Sequence, residues 1–211
     1  MTLAQMAHIK AMDAIAVQES SVLALPINAI QDPHDWPPEA RMWLYEASIY
    51  GNRINNNGIV YGPDSGRVYL PVYQGNKLVF YQARRIFGQG PKYLGPSVDR
   101  SSLLYWQNQQ ETKQVCIVVE DILSAIRVGK HITAVSLLGT KITTAQASQL
   151  AEYSTVVTWL DPDKAGVEGA QAVRRILSLT STVKNIVTDK DPKHLSDREI
   201  KLILKEHIQL D

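Results

Sequence analysis

Four acidic residues, Glu120, Asp161, Asp163 and Asp191, hold the chemical interest of this chain. Asp161 and Asp163 flank a proline in Trp159-Leu160-Asp161-Pro162-Asp163-Lys164-Ala165-Gly166, where an apolar run stops and a helical pattern starts. Glu120 directly follows the apolar run Val115-Cys116-Ile117-Val118-Val119, and Asp191 follows another β-rich run in Thr188-Asp189-Lys190-Asp191-Pro192. Alone, the Asp-Pro-Asp stretch has a structural explanation: Asp163 caps the next helix and Asp161 holds the turn. With the other acids it has a chemical one. Two carboxylates about 6 Å apart repel by roughly 3 kcal/mol at an effective dielectric near 20, so a cluster of such groups calls for a counter-ion. An all-oxygen ligand set favours Mg2+ or Mn2+ over zinc. Such an ion suits phosphoryl transfer or phosphodiester cleavage, where it neutralises charge on the transferring group.

A second constellation lies upstream. Lys77, Arg84, Arg85, Lys92 and Arg100 are interleaved with Phe80, Tyr81, Phe87 and Tyr93, against a single acid, Asp99. Cations for phosphates and rings for bases suit single-stranded nucleic acid. A half-buried hairpin with a solvated charged face accounts for the same pattern. The glycines and prolines from Gly88 to Pro96 predict an irregular loop able to approach a strand closely.

The elements that must position these residues fall into two patterns. From about residue 115, apolar β-rich runs alternate with helical ones. Strands are expected at Val115 to Val119, Ile132 to Ser136, Thr155 to Leu160 and Val183 to Val187. Helices are expected at Asp121 to Gly129, Thr143 to Tyr153, Lys164 to Leu179 and beyond Ser196. The capping-box patterns Thr143-x-x-Gln146 and Ser196-x-x-Glu199 open two of them. This order predicts a mostly parallel sheet flanked by helices, whose sites collect at the carboxyl ends of the strands. Residues 1 to about 110 differ. A helical start leads to a proline-interrupted loop, a helix opened by Pro37 and Glu39, turn clusters at Gly51 to Gly58 and Gly62 to Gly66, and a hairpin of Val68 to Tyr73 with Lys77 to Arg84. The expected architecture is α/β, with a smaller N-terminal α+β lobe (1–110) preceding the parallel-sheet domain (111–211).

Bulk properties exclude several classes. The 211 residues carry 22 basic against 21 acidic side chains, so no global field points to a nucleic-acid or membrane partner and any such preference is local. A single cysteine, Cys116, excludes an internal disulfide and a four-cysteine zinc site, and its apolar setting predicts a buried thiol. No run approaches the roughly 20 apolar residues of a membrane span, and the N-terminus lacks the apolar core of a signal peptide, so a cytoplasmic protein is expected. Asp32, His34 and Asp35 read as turn chemistry and a helix cap. The scattered His131, His194 and His207 read as ordinary surface or partly buried side chains. Trp36, Trp43, Trp106 and Trp159 read as packing residues.

Taken in order, Val118-Val119-Glu120, Ser136-Leu137-Leu138-Gly139-Thr140, Asp161-Pro162-Asp163-Lys164-Ala165-Gly166 and Asp191-Pro192 resemble the TOPRIM domain of primases, topoisomerases and some nucleases. Upstream, Gly66-Arg67-Val68-Tyr69-Leu70-Pro71-Val72, Gly75-Asn76-Lys77-Leu78-Val79, Gln82-Ala83-Arg84-Arg85 and Pro91-Lys92-Tyr93-Leu94-Gly95-Pro96 look like the subdomain preceding TOPRIM in bacterial-type DNA primases. The resemblance, over about residues 58 to 204, is therefore to a bacterial or phage-type primase catalytic core. It implies a nucleotidyltransferase that joins ribonucleoside triphosphates into short RNA primers on a single-stranded DNA template. Glu120, Asp161, Asp163 and Asp191 match the family's metal-site acids, with Glu120 also matching a participant in proton transfer. Arg84, Lys92 and Tyr93 match a basic segment that contacts template or nucleotide, and Arg85 adjoins it.

Two departures stand out. Asp121 and Ser124 occupy positions where the family usually has glycine and aspartate, and Lys193 occupies one where it usually has a further acid. Asp121 is the candidate to supply the missing charge, although a helix N-terminus favours an aspartate for its dipole alone. The expected partners are a replicative helicase or a separate zinc-binding, template-recognising factor, since the chain has no G-x-x-x-x-G-K-[ST] loop and too few cysteines for a zinc module. Small size suggests a phage or another compact replication system, hence the host cytoplasm if phage-encoded. The rival expectations are a TOPRIM nuclease using the same acids and a catalytically weak nucleic-acid-binding replication subunit.

Overall fold

The structure is a computed structural model that describes residues 23–208. The helical start expected at the N-terminus lies outside the described residues. The first half opens with a 3-10 turn, Pro33–Asp35, capped by Asp32, which accepts from the His34 N–H at 2.9 Å. Helix α1 (Pro38–Glu46) follows, begun by prolines that need no N–H partner. It ends before Ser48, whose positive φ of 53° turns the chain. The cluster expected to be only turns holds a short helix, α2 (Asn52–Asn56), entered through Gly51 at φ 56°.

Strands β1 (Val60–Gly62), β2 (Arg67–Gln74), β3 (Lys77–Arg85) and β4 (Tyr93–Leu94) form an antiparallel sheet in that order. The hairpin between β2 and β3 turns at Gly75, at φ 57°. Arg67, almost fully buried, donates to the carbonyls of Ala83 and Pro91 and so braces the loop that separates β3 from β4. That brace places Tyr93 opposite Arg84 in the ladder.

The second sheet runs β5-β7-β6-β8-β9, from β5 (Tyr105–Gln107), β6 (Val115–Val119), β7 (Ala134–Ser136), β8 (Thr155–Thr158) and β9 (Thr182–Asn185). β6 to β9 are parallel, and β5 is the antiparallel edge, paired with β7. Helices α3 (Ile122–Val128), α4 (Thr144–Leu150), α5 (Lys164–Leu177) and α6 (Asp197–His207) alternate with these strands. Both expected capping boxes form. β6 is buried over Cys116 to Val119, as its unbroken apolar sequence requires of a strand covered on both faces.

One buried cluster runs through both halves. It includes Leu44 of α1, Leu70 and Val72 of β2, Val119 of β6, Ile122 and Leu123 of α3, and Trp159 after β8. Trp159 is wholly buried and its indole N–H finds Thr188 Oγ1 at 2.8 Å, which satisfies the one polar atom of a large core residue. Arg127 of α3, 1% exposed, pairs with Asp197 at 2.9 Å and donates to the Leu195 carbonyl, tying α3 to the start of α6. Among the described residues no helix is long and apolar enough to cross a membrane.

Candidate active site

The carboxyl ends of the parallel strands carry the acids. Glu120 is the first residue after β6, and the end of β7 fixes its backbone: the Glu120 carbonyl accepts from Ser136 Oγ at 2.7 Å and from the Gly139 N–H at 3.1 Å. Its Oε2 is buried with no hydrogen-bond partner. Burial, reinforced by Asp161, Asp163 and Asp121, pushes the Glu120 carboxyl up to about 7 despite the opposing charge of Lys193. The Asp161 carboxyl, in the loop after β8, is raised to about 6, by burial first; Lys193 lowers it while Asp191, Asp121 and Asp163 raise it. Asp163 is exposed and caps α5, accepting from the Gly166 N–H at 2.8 Å.

Gly166 permits this arrangement. A Cβ there would lie 2.0 Å from the Asp161 carbonyl oxygen, so only glycine lets the first turn of α5 sit against the loop that aims the two aspartates. Gly169, one turn on, plays the same part against the Thr140 carbonyl, at 2.5 Å.

Asp121 and Asp191 are differently occupied. Asp121 caps α3: Oδ1 accepts from the N–H groups of Leu123 and Ser124, and Oδ2 from Ser124 Oγ at 2.8 Å and Lys193 Nζ at 3.0 Å. Ser124 is fully buried, its hydroxyl serving the cap. Lys193 Nζ also lies 2.6 Å from Asp191 Oδ2. Burial works against the lysine's charge, but Asp121 and Asp191 outweigh it and hold the ammonium well above its ordinary range.

A cleft of about 490 Å³ joins these acids to the antiparallel lobe. Glu120, Asp121, Asp161 and Lys193 line one side, and Trp43, Arg84, Lys92 and Tyr93 the other. The Arg84 guanidinium lies 5.8 Å from the centre of the Trp43 ring and 5.4 Å from that of Tyr93, with Lys92 Nζ 5.7 Å from Tyr93. Arg84 Nε is buried and unpartnered. Arg85, by contrast, points its guanidinium at the Gly90 carbonyl of its own loop and does not line the cleft. Asp163 and Asp191 stand beside the cleft without lining it.

Reading the sequence alone missed Trp43 and Lys193 as cleft residues, along with Glu46, Gln82 and His194, which also line it. In the sequence Trp43 reads as one more packing tryptophan. Lys193 reads there only as a charge of unexpected sign.

The orphaned Glu120 oxygen beside Asp161, both carboxyls raised by burial first and by the neighbouring acids, fits a hard divalent cation. Among the described residues no three His, Cys, Asp or Glu side chains form a ready metal cage.

Residues 117–196 match the family model described as Toprim-like. Among solved structures, the Aquifex aeolicus primase (zinc-binding and RNA polymerase domains) aligns with a TM-score of 0.68 at 18% identity, over 81% of this chain and 56% of that one. A DNA primase domain from Pseudomonas aeruginosa aligns at 0.66 and 17% identity, over 94% of this chain and 78% of that one. The primase fragment of the bacteriophage T7 primase-helicase aligns at 0.54 and 13% identity, over 74% and 69%. None of the curated proteins matches the chain. Fold and comparisons together define a Toprim-like domain behind an antiparallel lobe. The chain has the TOPRIM primase-core fold and resembles the DnaG-type catalytic cores of bacterial and phage primases.

Proposed function

We propose that this protein is the catalytic core of a DNA primase, a nucleotidyltransferase that makes short RNA primers on single-stranded DNA during replication. The observation that carries this reading is the cleft itself, with carboxylates on one wall and a stacked Arg-aromatic group on the other. Neither wall alone distinguishes a polymerase from a nuclease; together they offer a place for triphosphate and template at once.

In this reading Glu120 and Asp161 hold a divalent ion, Mg2+ or Mn2+, with the charge of Asp163 beside them, and the ion when bound would neutralise charge on the transferring phosphoryl group. Arg84 and Lys92 draw the phosphates of template or nucleotide into the cleft, and Tyr93 and Trp43 offer faces for a base. Arg84 is pre-set for this by its seat between the two rings, so little side-chain freedom is lost on binding. Glu120, its carboxyl raised to about 7 by burial before an ion binds, is the residue to release a proton from Oε2 as the ion enters. Residues 1–110, apart from β5, then form the template and nucleotide lobe, and 111–211 the catalytic domain. A replicative helicase and a zinc-binding template-recognition factor are the proposed partners, in the cytoplasm, the host's if the chain is phage-encoded.

The test is to incubate the protein with single-stranded DNA, labelled ribonucleotides and Mg2+ or Mn2+. Template-dependent oligoribonucleotides that vanish with EDTA and in Asp161→Asn are expected. Shortened DNA without nucleotide incorporation would instead make it a nuclease, and binding with neither activity an accessory subunit.

A further inference from the structure

A lysine in the acidic rim changes how many ions the rim can take. Asp121 and Asp191 come from different strand ends, after β6 and β9, and Lys193 Nζ bridges them at 3.0 and 2.6 Å. The bridge is partly shielded: the side chains of Lys193, Asp121 and Asp191 are 20%, 25% and 21% exposed. Lys193 belongs to the 3-10 turn Pro192–His194, which is anchored by the buried Pro192. The ammonium is therefore held by the fold and is not a mobile surface charge.

We propose that the Lys193 ammonium fills the place a second divalent ion would need between Asp121 and Asp191, leaving the rim one exchangeable ion, at Glu120 and Asp161 beside Asp163. The inference builds on the metal-dependent reading above. Asp121 has four donors on its two oxygens, two backbone N–H groups, a hydroxyl and the ammonium. A metal there would have to displace the cap of α3 or the lysine. Magnesium sits about 2.1 Å from a carboxylate oxygen. At Asp191 Oδ2 it would thus lie within about 5 Å of the ammonium, and two cations so close in a half-buried site repel. The first site shows the opposite condition, since Glu120 Oε2 meets no donor at all. Positive charge is already supplied at one end of the rim and lacking at the other.

Mn2+ titration of the full chain, following free ion by its EPR signal, tests this. The wild type is expected to bind one ion, lost in Asp161→Asn and kept in Asp191→Asn. Lys193→Asp is expected to bind two, the second lost when Asp191→Asn is added, while Lys193→Arg, which keeps the cation, binds one. Circular dichroism and a melting curve confirm folding, and Lys193→Gln stands in if Lys193→Asp does not fold without metal. A wild type that binds two ions, or Lys193→Asp and Lys193→Gln that bind no more ions than the wild type, would overturn the proposal. A wild type that binds none, with an ion appearing in Lys193→Asp and lost with Asp191→Asn, would sink the Glu120 site and leave the lysine's role standing.

Discussion

Glu120→Gln should make the metal-free protein more stable, although it removes a residue assigned to the chemistry. Glu120 ordinarily titrates at 4.5 and in the folded chain at about 7. As pH rises, the unfolded chain ionises first. The native state then carries a cost that is absent below about 4.5, grows from there to about 7 and is complete above it. The gap of 2.5 units (7 − 4.5) sets a ceiling of about 3 kcal/mol, and solvent reaching this half-buried side chain reduces it to about 1–2 kcal/mol. Glutamine keeps the shape and drops the charge. In EDTA at pH 8 the variant should melt higher by about 3–6 °C for a protein of this size, and the advantage should shrink towards pH 5. Mn2+ should reverse the order, since saturation at a hundred times Kd stabilises the wild type by about 2.7 kcal/mol and the variant by less. Differential scanning fluorimetry over pH and Mn2+ reads all of this. A variant that melts at or below the wild type at pH 8 in EDTA would refute the reasoning, because Glu120 would then be making a favourable contact rather than waiting for one.

Gly166→Ala places a methyl group 2.0 Å from the Asp161 carbonyl and should cost about 1–3 kcal/mol in urea unfolding, with primer synthesis falling further than stability does. Asp197→Ala strands the buried Arg127 and should cost about 3 kcal/mol, whereas Arg127→Met, which removes the charge as well, should cost less. Arg84→Ala should weaken single-stranded DNA binding and lower the slope of log K against log salt by about 0.7, measured by fluorescence anisotropy. Tyr93→Ala should lose about 1–3 kcal/mol of binding with the salt slope unchanged.

The parallel half was legible because most of its strands are short β-rich runs and its helices open on side-chain caps, two of them capping boxes, signals that act within a few residues. β6 was expected at Val115 to Val119 and lies there. β5 and α2 escaped because nothing local defines them. β5 is three residues recruited by β7, and α2 has no side-chain cap and starts from the Gly51 turn. The site divides in the same way. The acids could be found because each follows a strand, and Arg84 with Tyr93 because cations and rings are interleaved there, although the strand β4 that sets the two opposite one another lies where an irregular loop is expected. The Lys193 bridge to Asp121 spans 72 residues of sequence, and Trp43 on α1 meets Arg84 on β3, so both depend on tertiary packing that no local pattern records. Arg85 shows the limit of pattern from the other side: adjacent to Arg84, it alternates away and bonds to its own loop.

The buried cluster shared by α1, β2, β6, α3 and Trp159 has a consequence for how the molecule can work. Two halves with separate cores could rock about a linker and change the width of the cleft between them. Here the floor of the cleft is the common core, and a hinge would have to tear apolar side chains from one another. The walls therefore behave as a fixed-jaw gauge: whatever enters must already match the gap. Cutting the chain near residue 110 would expose that shared apolar surface on both pieces.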